Sequence, residues 1–180
     1  MGPIEVIFGT IAIFLALIGF ARTYPKELGT TVIILAAIFV LSFVEERVLN
    51  LTDTVSEALF NGDLQSANLF MSLLFEVLFI SAVFASYAGI TLDFPGRPAP
   101  APQGTLLSLA VGLLNGYLVA GTLWYYQHIF QYPLQMFDIF QLPLTARGQA
   151  WVELLPQTLF ESPVYWMIPV AVLLIWRVRG

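Results

Sequence analysis

The sequence predicts an all-α integral membrane protein of about five transmembrane helices, with an interfacial amphipathic segment between the fourth and fifth. Three observations predict it. Apolar residues make up 58% of the chain and charged residues 11%, against about a quarter charged in globular domains. Apolar runs near the roughly 20 residues needed to cross a hydrocarbon core recur along the chain. When those runs are threaded back and forth across a bilayer, the basic residues collect on one side.

The first run covers Ile4–Ala21. It lacks a basic leader (Glu5 is the only early charge) and has no small-x-small cleavage site after it, so it reads as a retained helix. The turn Arg22-Thr23-Tyr24-Pro25-Lys26-Glu27 follows, with Pro25 expected to stop the incoming helix. So short a turn makes the first two spans an antiparallel hairpin. The second span is expected over 29–44. Past Glu45-Glu46-Arg47 lies a polar connector. In it Thr54-Val55-Ser56-Glu57 fits a capping box and Asn61-Gly62 a stop signal, predicting a short surface helix over 55–60. The third span covers 66–92 and contains Glu76. The stretch 93–102, rich in proline, reads as an extended linker.

The fourth span, 104–126, ends in Trp124, Tyr125 and Tyr126, the expected aromatic belt at the headgroups. Between 127 and 162, Pro133, Pro143 and Pro156 cut the chain into apolar pieces too short to cross. Helices lying on the membrane surface are the favoured reading there, with re-entrant pieces the alternative. The fifth span begins near Pro163 and is closed by Arg177 and Arg179. With the first loop cytoplasmic, Arg22, Lys26, Arg97, Arg177 and Arg179 face inward, and only Arg47 and Arg147 of the 7 basic residues face out. The N-terminus is then outside and the C-terminus cytoplasmic.

The fourth span carries the most specific pattern. Gly104, Ser108, Gly112, Gly116 and Ala120 recur at every fourth position, a small-residue face that lets another helix approach closely. The third span offers a shorter match in Ser81, Ala85 and Gly89. A glycine-lined pore or a homodimer seam are alternative uses of such a face. Glu76 is the ionisable group deep in a span, where a carboxyl is costly and a functional candidate. Asn115, near the middle of the fourth span, is its expected partner. His128 is the sole histidine. It cannot build a protein-only metal site, but one imidazole suffices as axial ligand to a haem or chlorophyll-type pigment.

Several classes are excluded or poorly supported. With 0 cysteines there is no disulfide, thiolate metal site or cysteine nucleophile. The formal net charge of −5 leaves no basic patch for nucleic acid. No G-x-S-x-G, H-E-x-x-H or glycine-rich phosphate loop occurs, so the chain reads as no enzyme and no cofactor is required.

The first hairpin, through Gly19, Phe20, Arg22, Tyr24, Lys26, Glu27 and Leu28, resembles the start of the colicin V production protein (CvpA) family. Thr23 departs where that family commonly has glycine. The run 104–116 resembles the family's glycine-patterned last helix, with Asn115 where a basic residue is frequent. The resemblance implies a four-helix CvpA-like membrane domain over 1–126, with 127–162 and a fifth helix over 163–180 as additions. It also implies a small bacterial inner-membrane protein, and brings no catalytic residues or defined transported solute. The function expected is a non-catalytic accessory or scaffold subunit among lipids and other transmembrane subunits, in a respiratory or photosynthetic assembly. The alternatives are a small transporter or channel using Glu76 and Asn115, and a pigment- or haem-bearing subunit through His128.

Overall fold

The computed structural model describes residues 2–89, 92, 94 and 100–179. Its helices are α1 (Ile4–Ala21), α2 (Tyr24–Leu49), α3 (Thr52–Phe60), α4 (Leu64–Ala88), α5 (Gln103–Ile129), α6 (Ala146–Val152), α7 (Pro156–Leu159) and α8 (Pro163–Arg179), with a 3-10 turn at Pro133–Phe137. Among the described residues, 4 helices are long and apolar enough to cross a membrane: α1, α2, α4 and α5. Arg97 and most of the proline-rich linker lie outside the described residues.

The hairpin turn is tighter than expected. Pro25 does not stop α1 but sits in the first turn of α2, where its missing N–H costs no hydrogen bond. Only Arg22 and Thr23 lie between the two helices. The expected capping box does not cap α3, which begins earlier, at Thr52, with no side-chain cap. Asn61 and Gly62 do end it, with φ of 51° and 85°. Asp63 then caps α4, accepting from Gln65 N and Ser66 Oγ. Those bonds hold its carboxyl below the usual carboxylate range.

The tightest packing is between α1 and α5, which run antiparallel. A Cβ added to Gly116 would stand 2.5 Å from Ala12 O, and one on Gly112 would stand 2.9 Å from Gly19 Cα. The partner of the glycine face is therefore α1, through Ala12, Ala16 and Gly19. Ser81, Ala85 and Gly89 are exposed on α4. Helix α2 packs on α4 and α5, and α8 lies along α2. Glu161 and Pro163 lie beside Glu45 and Glu46 at one end of α2. At the far end of α8, Trp176 meets Phe94, ring centroids 5.9 Å apart. At 17 residues, α8 is about 26 Å long at 1.5 Å per residue.

The segment after α5 does more than lie across the bundle end. Thr145 donates to Glu5 Oε1 at the start of α1. From there the chain descends past Phe8, which Trp151 meets at 5.4 Å, until the Tyr117 hydroxyl donates to Leu154 O at 2.5 Å. Tyr117 follows Gly116, which packs on Ala12 in the middle of α1, so the descent from Glu5 covers about 10 Å by helical rise. Pro156 packs over Gly121, Gln157 Nε2 donates to Thr122 Oγ1 at 2.9 Å, and the chain climbs back. The Tyr117 hydroxyl thereby gives one backbone carbonyl of this non-helical stretch a partner. Residues 145–157 thus run along α1 and α5 toward the middle of the bundle.

The aromatic end of α5 is core, not belt. Trp124 is 3% exposed and Tyr126 is 0% exposed, because α1, α4 and the returning segment cover them. The Tyr125 hydroxyl donates to Glu45 Oε1 on α2.

Candidate functional site

Two polar clusters lie inside the bundle. The first stands at the hairpin end, where the short turn brings Arg22 back over α2. The Arg22 guanidinium meets Glu27 Oε1 at 3.0 Å and lies over the Tyr87 ring, 4.8 Å from its centroid. Glu27 is fully buried, at 0% exposure. Its Oε2 accepts from Asn115 Nδ2 at 3.0 Å and from the Tyr87 hydroxyl at 3.3 Å. The Thr31 hydroxyl donates to Asn115 Oδ1 at 2.7 Å. Four helical segments, the α1 cap, α2, α4 and α5, are thereby tied at one point. Asn115 does not pair with Glu76 as expected.

Glu76 belongs to the second cluster, with Ser72 one turn before it on α4 and Gln127 on α5. Gln127 Nε2 donates to Glu76 Oε1 at 2.6 Å and to Ser72 Oγ at 2.8 Å. Ser72 Oγ in turn donates to Glu76 Oε1 at 3.3 Å. The backbone N–H of Leu134 donates to Gln127 Oε1, so the chain leaving α5 fixes the amide's orientation. Beside this triad is a cavity of about 180 Å³, walled by α1, α4 and α5 and roofed by Leu134, Ile139 and Phe140. Its walls are apolar apart from Glu76 and Gln127.

The remaining expected residues are dispersed. Gly112 and Gly116 form the α1–α5 contact, and Ser108 lies beside Gly19. Ala120 borders the cavity, while Gly104 lines a surface groove at the hairpin turn with Phe20 and Arg22. His128 is exposed at the end of α5. Its Nδ1 pairs with the Tyr132 hydroxyl at 3.0 Å, and that hydroxyl also accepts from Trp124 Nε1. Burial pushes the Tyr132 hydroxyl up from its ordinary value. Sequence reasoning missed Glu27, which it placed in a polar turn, and Gln127, which carries no motif.

Fold and interior together define a multi-pass α-helical membrane protein. No family model, curated protein or solved structure matches the chain.

Proposed function

We propose that the chain is a non-catalytic accessory subunit of a bacterial inner-membrane assembly, respiratory or photosynthetic in kind. In this reading it crosses the bilayer five times, with the N-terminus outside and the C-terminus cytoplasmic. The course of α8 along α2 supports the fifth crossing. Arg22 and Lys26 stand at the hairpin end, and Trp176, next to Arg177, meets Phe94 of the α4–α5 linker, which supports the orientation.

The observation that carries the accessory reading is the first cluster. Its charged pair and every neighbouring polar group are spent on holding helices to one another, so they serve as a structural lock. Purification in mild detergent tests it: the chain is expected to migrate with other transmembrane subunits. A lone monomer with no co-purifying subunit overturns the reading. A reporter fused after Gly180 tests the topology, and activity only on the outer face would mean four crossings.

One observation favours the transporter reading, the Glu76 carboxyl beside a cavity. Asn115 does not share that cavity, so the pathway would depend on Glu76 alone. Unaltered solute or ion flux in liposomes on Glu76→Gln would remove it. His128 is likewise outside the cavity wall. A pigment or haem held there would show as a visible absorption band lost in His128→Ala.

A further inference from the structure

The cavity beside Glu76 adjoins a second feature that the accessory reading does not use. Ile11 and Ile80 line both the cavity and an adjoining groove of about 300 Å³ between α1 and α4, whose other walls include Phe14, Val83 and Val119. The surface lining this groove is entirely apolar, Thr10 included. From Ile7 to Phe14 the two spaces together run about 10 Å along α1 by helical rise. The polar end lies at the level of the first turns of α1, and the apolar end points toward the middle of the bundle. That is the way an amphiphile stands in one leaflet.

The polar end is built for one small head. Glu76 is only 7% exposed. Both of its donors, Gln127 and Ser72, converge on Oε1, and among the described residues Oε2 makes no hydrogen bond. Oε2 keeps some open surface beside the apolar cavity, and a carboxyl oxygen in apolar surroundings without a partner is costly. A hydroxyl suits it in either protonation state, since it donates to a carboxylate and accepts from a carboxylic acid. Anionic heads are disfavoured, because no Lys or Arg lines the cavity. Size agrees: a cavity of about 150 Å³ takes up a benzene-sized group, so 180 Å³ holds a hydroxyl and the first carbons of a chain but no phospholipid headgroup.

The geometry points to a binding site for a long-chain or isoprenoid alcohol, its hydroxyl on Glu76 Oε2 and its chain in the α1–α4 groove. The inference rests on the cavity and not on membership of a larger assembly, so either can fail alone.

The test uses the full chain in phosphatidylcholine nanodiscs, irradiated with a hexadecan-1-ol bearing a mid-chain diazirine. Label is expected on α1 and α4 peptides bordering Ile11 and Ile80. Hexadecan-1-ol should displace it at least tenfold better than hexadecyl methyl ether, which cannot donate. Glu76→Leu should erase that preference. Ile80→Trp, at a half-exposed position outside the triad, should abolish the label, and it decides the matter even if Glu76→Leu does not fold. Equal competition by alcohol and ether, or label spread over all lipid-facing helices and unchanged in Ile80→Trp, overturns the site.

Discussion

Replacing the two partners of the buried ion pair should have unequal costs, because they are unequally buried. Glu27 is 0% exposed, whereas the Arg22 side chain keeps 20% of its surface. Glu27 Oε1 has no hydrogen-bond partner beyond that ion pair among the described residues. Arg22→Met therefore leaves a carboxyl in the interior with one oxygen unsatisfied. Removing one partner of a buried pair costs about 3–5 kcal/mol, and the lower end, about 3, applies where one partner is partly exposed. Glu27→Gln differs in kind. The amide oxygen still accepts from Asn115 and Tyr87, and Arg22 keeps its place over the Tyr87 ring or turns its head out to water. The loss is then the difference between a charged and a neutral hydrogen bond plus a buried amide N–H left facing Arg22, about 2 kcal/mol. The double variant should be less destabilised than Arg22→Met alone, since a neutral side chain at 27 needs no cation. Unfolding in mixed dodecyl-maltoside and SDS micelles, followed by far-UV circular dichroism, gives all three values in one cycle. Equal costs for the single variants, or an additive double variant, would refute a lock whose buried partner is Glu27.

Three further outcomes follow from the packing. Gly116→Val puts a branched side chain where even a Cβ meets the α1 backbone at 2.5 Å, and overpacking of about 3 kcal/mol is expected in the same micelle assay; a neutral effect would show that α1 and α5 do not meet there. Tyr117→Phe removes an exposed hydrogen bond to Leu154 O, a loss of about 1 kcal/mol, and hydrogen exchange should quicken over 145–160 before the four long helices respond. The Asp63 cap has a pH signature: a carboxyl held below its unfolded value stabilises the start of α4 above that value and loses the effect as pH falls through the folded value. Protection of the Gln65 amide should therefore fade in acid, and in Asp63→Ala should be absent at every pH; protection that ignores pH would mean another group caps the helix.

The four long helices were legible because length and apolarity are local properties, and Glu76 stood out because a carboxyl inside an apolar run is conspicuous. Glu27 was not legible. A charged residue two positions after Pro25, beside Arg22 and Lys26, reads as water-facing. What draws it inward is Asn115, 88 residues away, and no local pattern carries that separation. The aromatic end of α5 misled for a related reason. A belt of Trp and Tyr is expected where a helix leaves the bilayer, but here the chain turns back and buries Trp124 and Tyr126 against its own helices. The sequence left 127–162 open between surface-lying and re-entrant pieces, because what sets the course of 145–160 is its contacts with Glu5, Tyr117 and Thr122, all distant in the chain.

The glycine face of α5 was legible as a contact but not as the reason the groove exists. Small residues at 112 and 116 draw α1 onto α5 until the backbones touch. With α1 held there and α4 tied to α5 at its other side through Phe75 on Tyr126 and through Glu76 and Gln127, α1 and α4 make little packing of their own among the described residues. The space left between them is floored by Val119 and Ala120 and closed at one end by Phe140. Larger residues at 112 and 116 would push α1 outward and change the shape of that space from the other side of the same helix. The periodicity visible in the sequence thus sets the width of a groove whose polar end is supplied by Glu76, a residue the same reading singled out for a different reason.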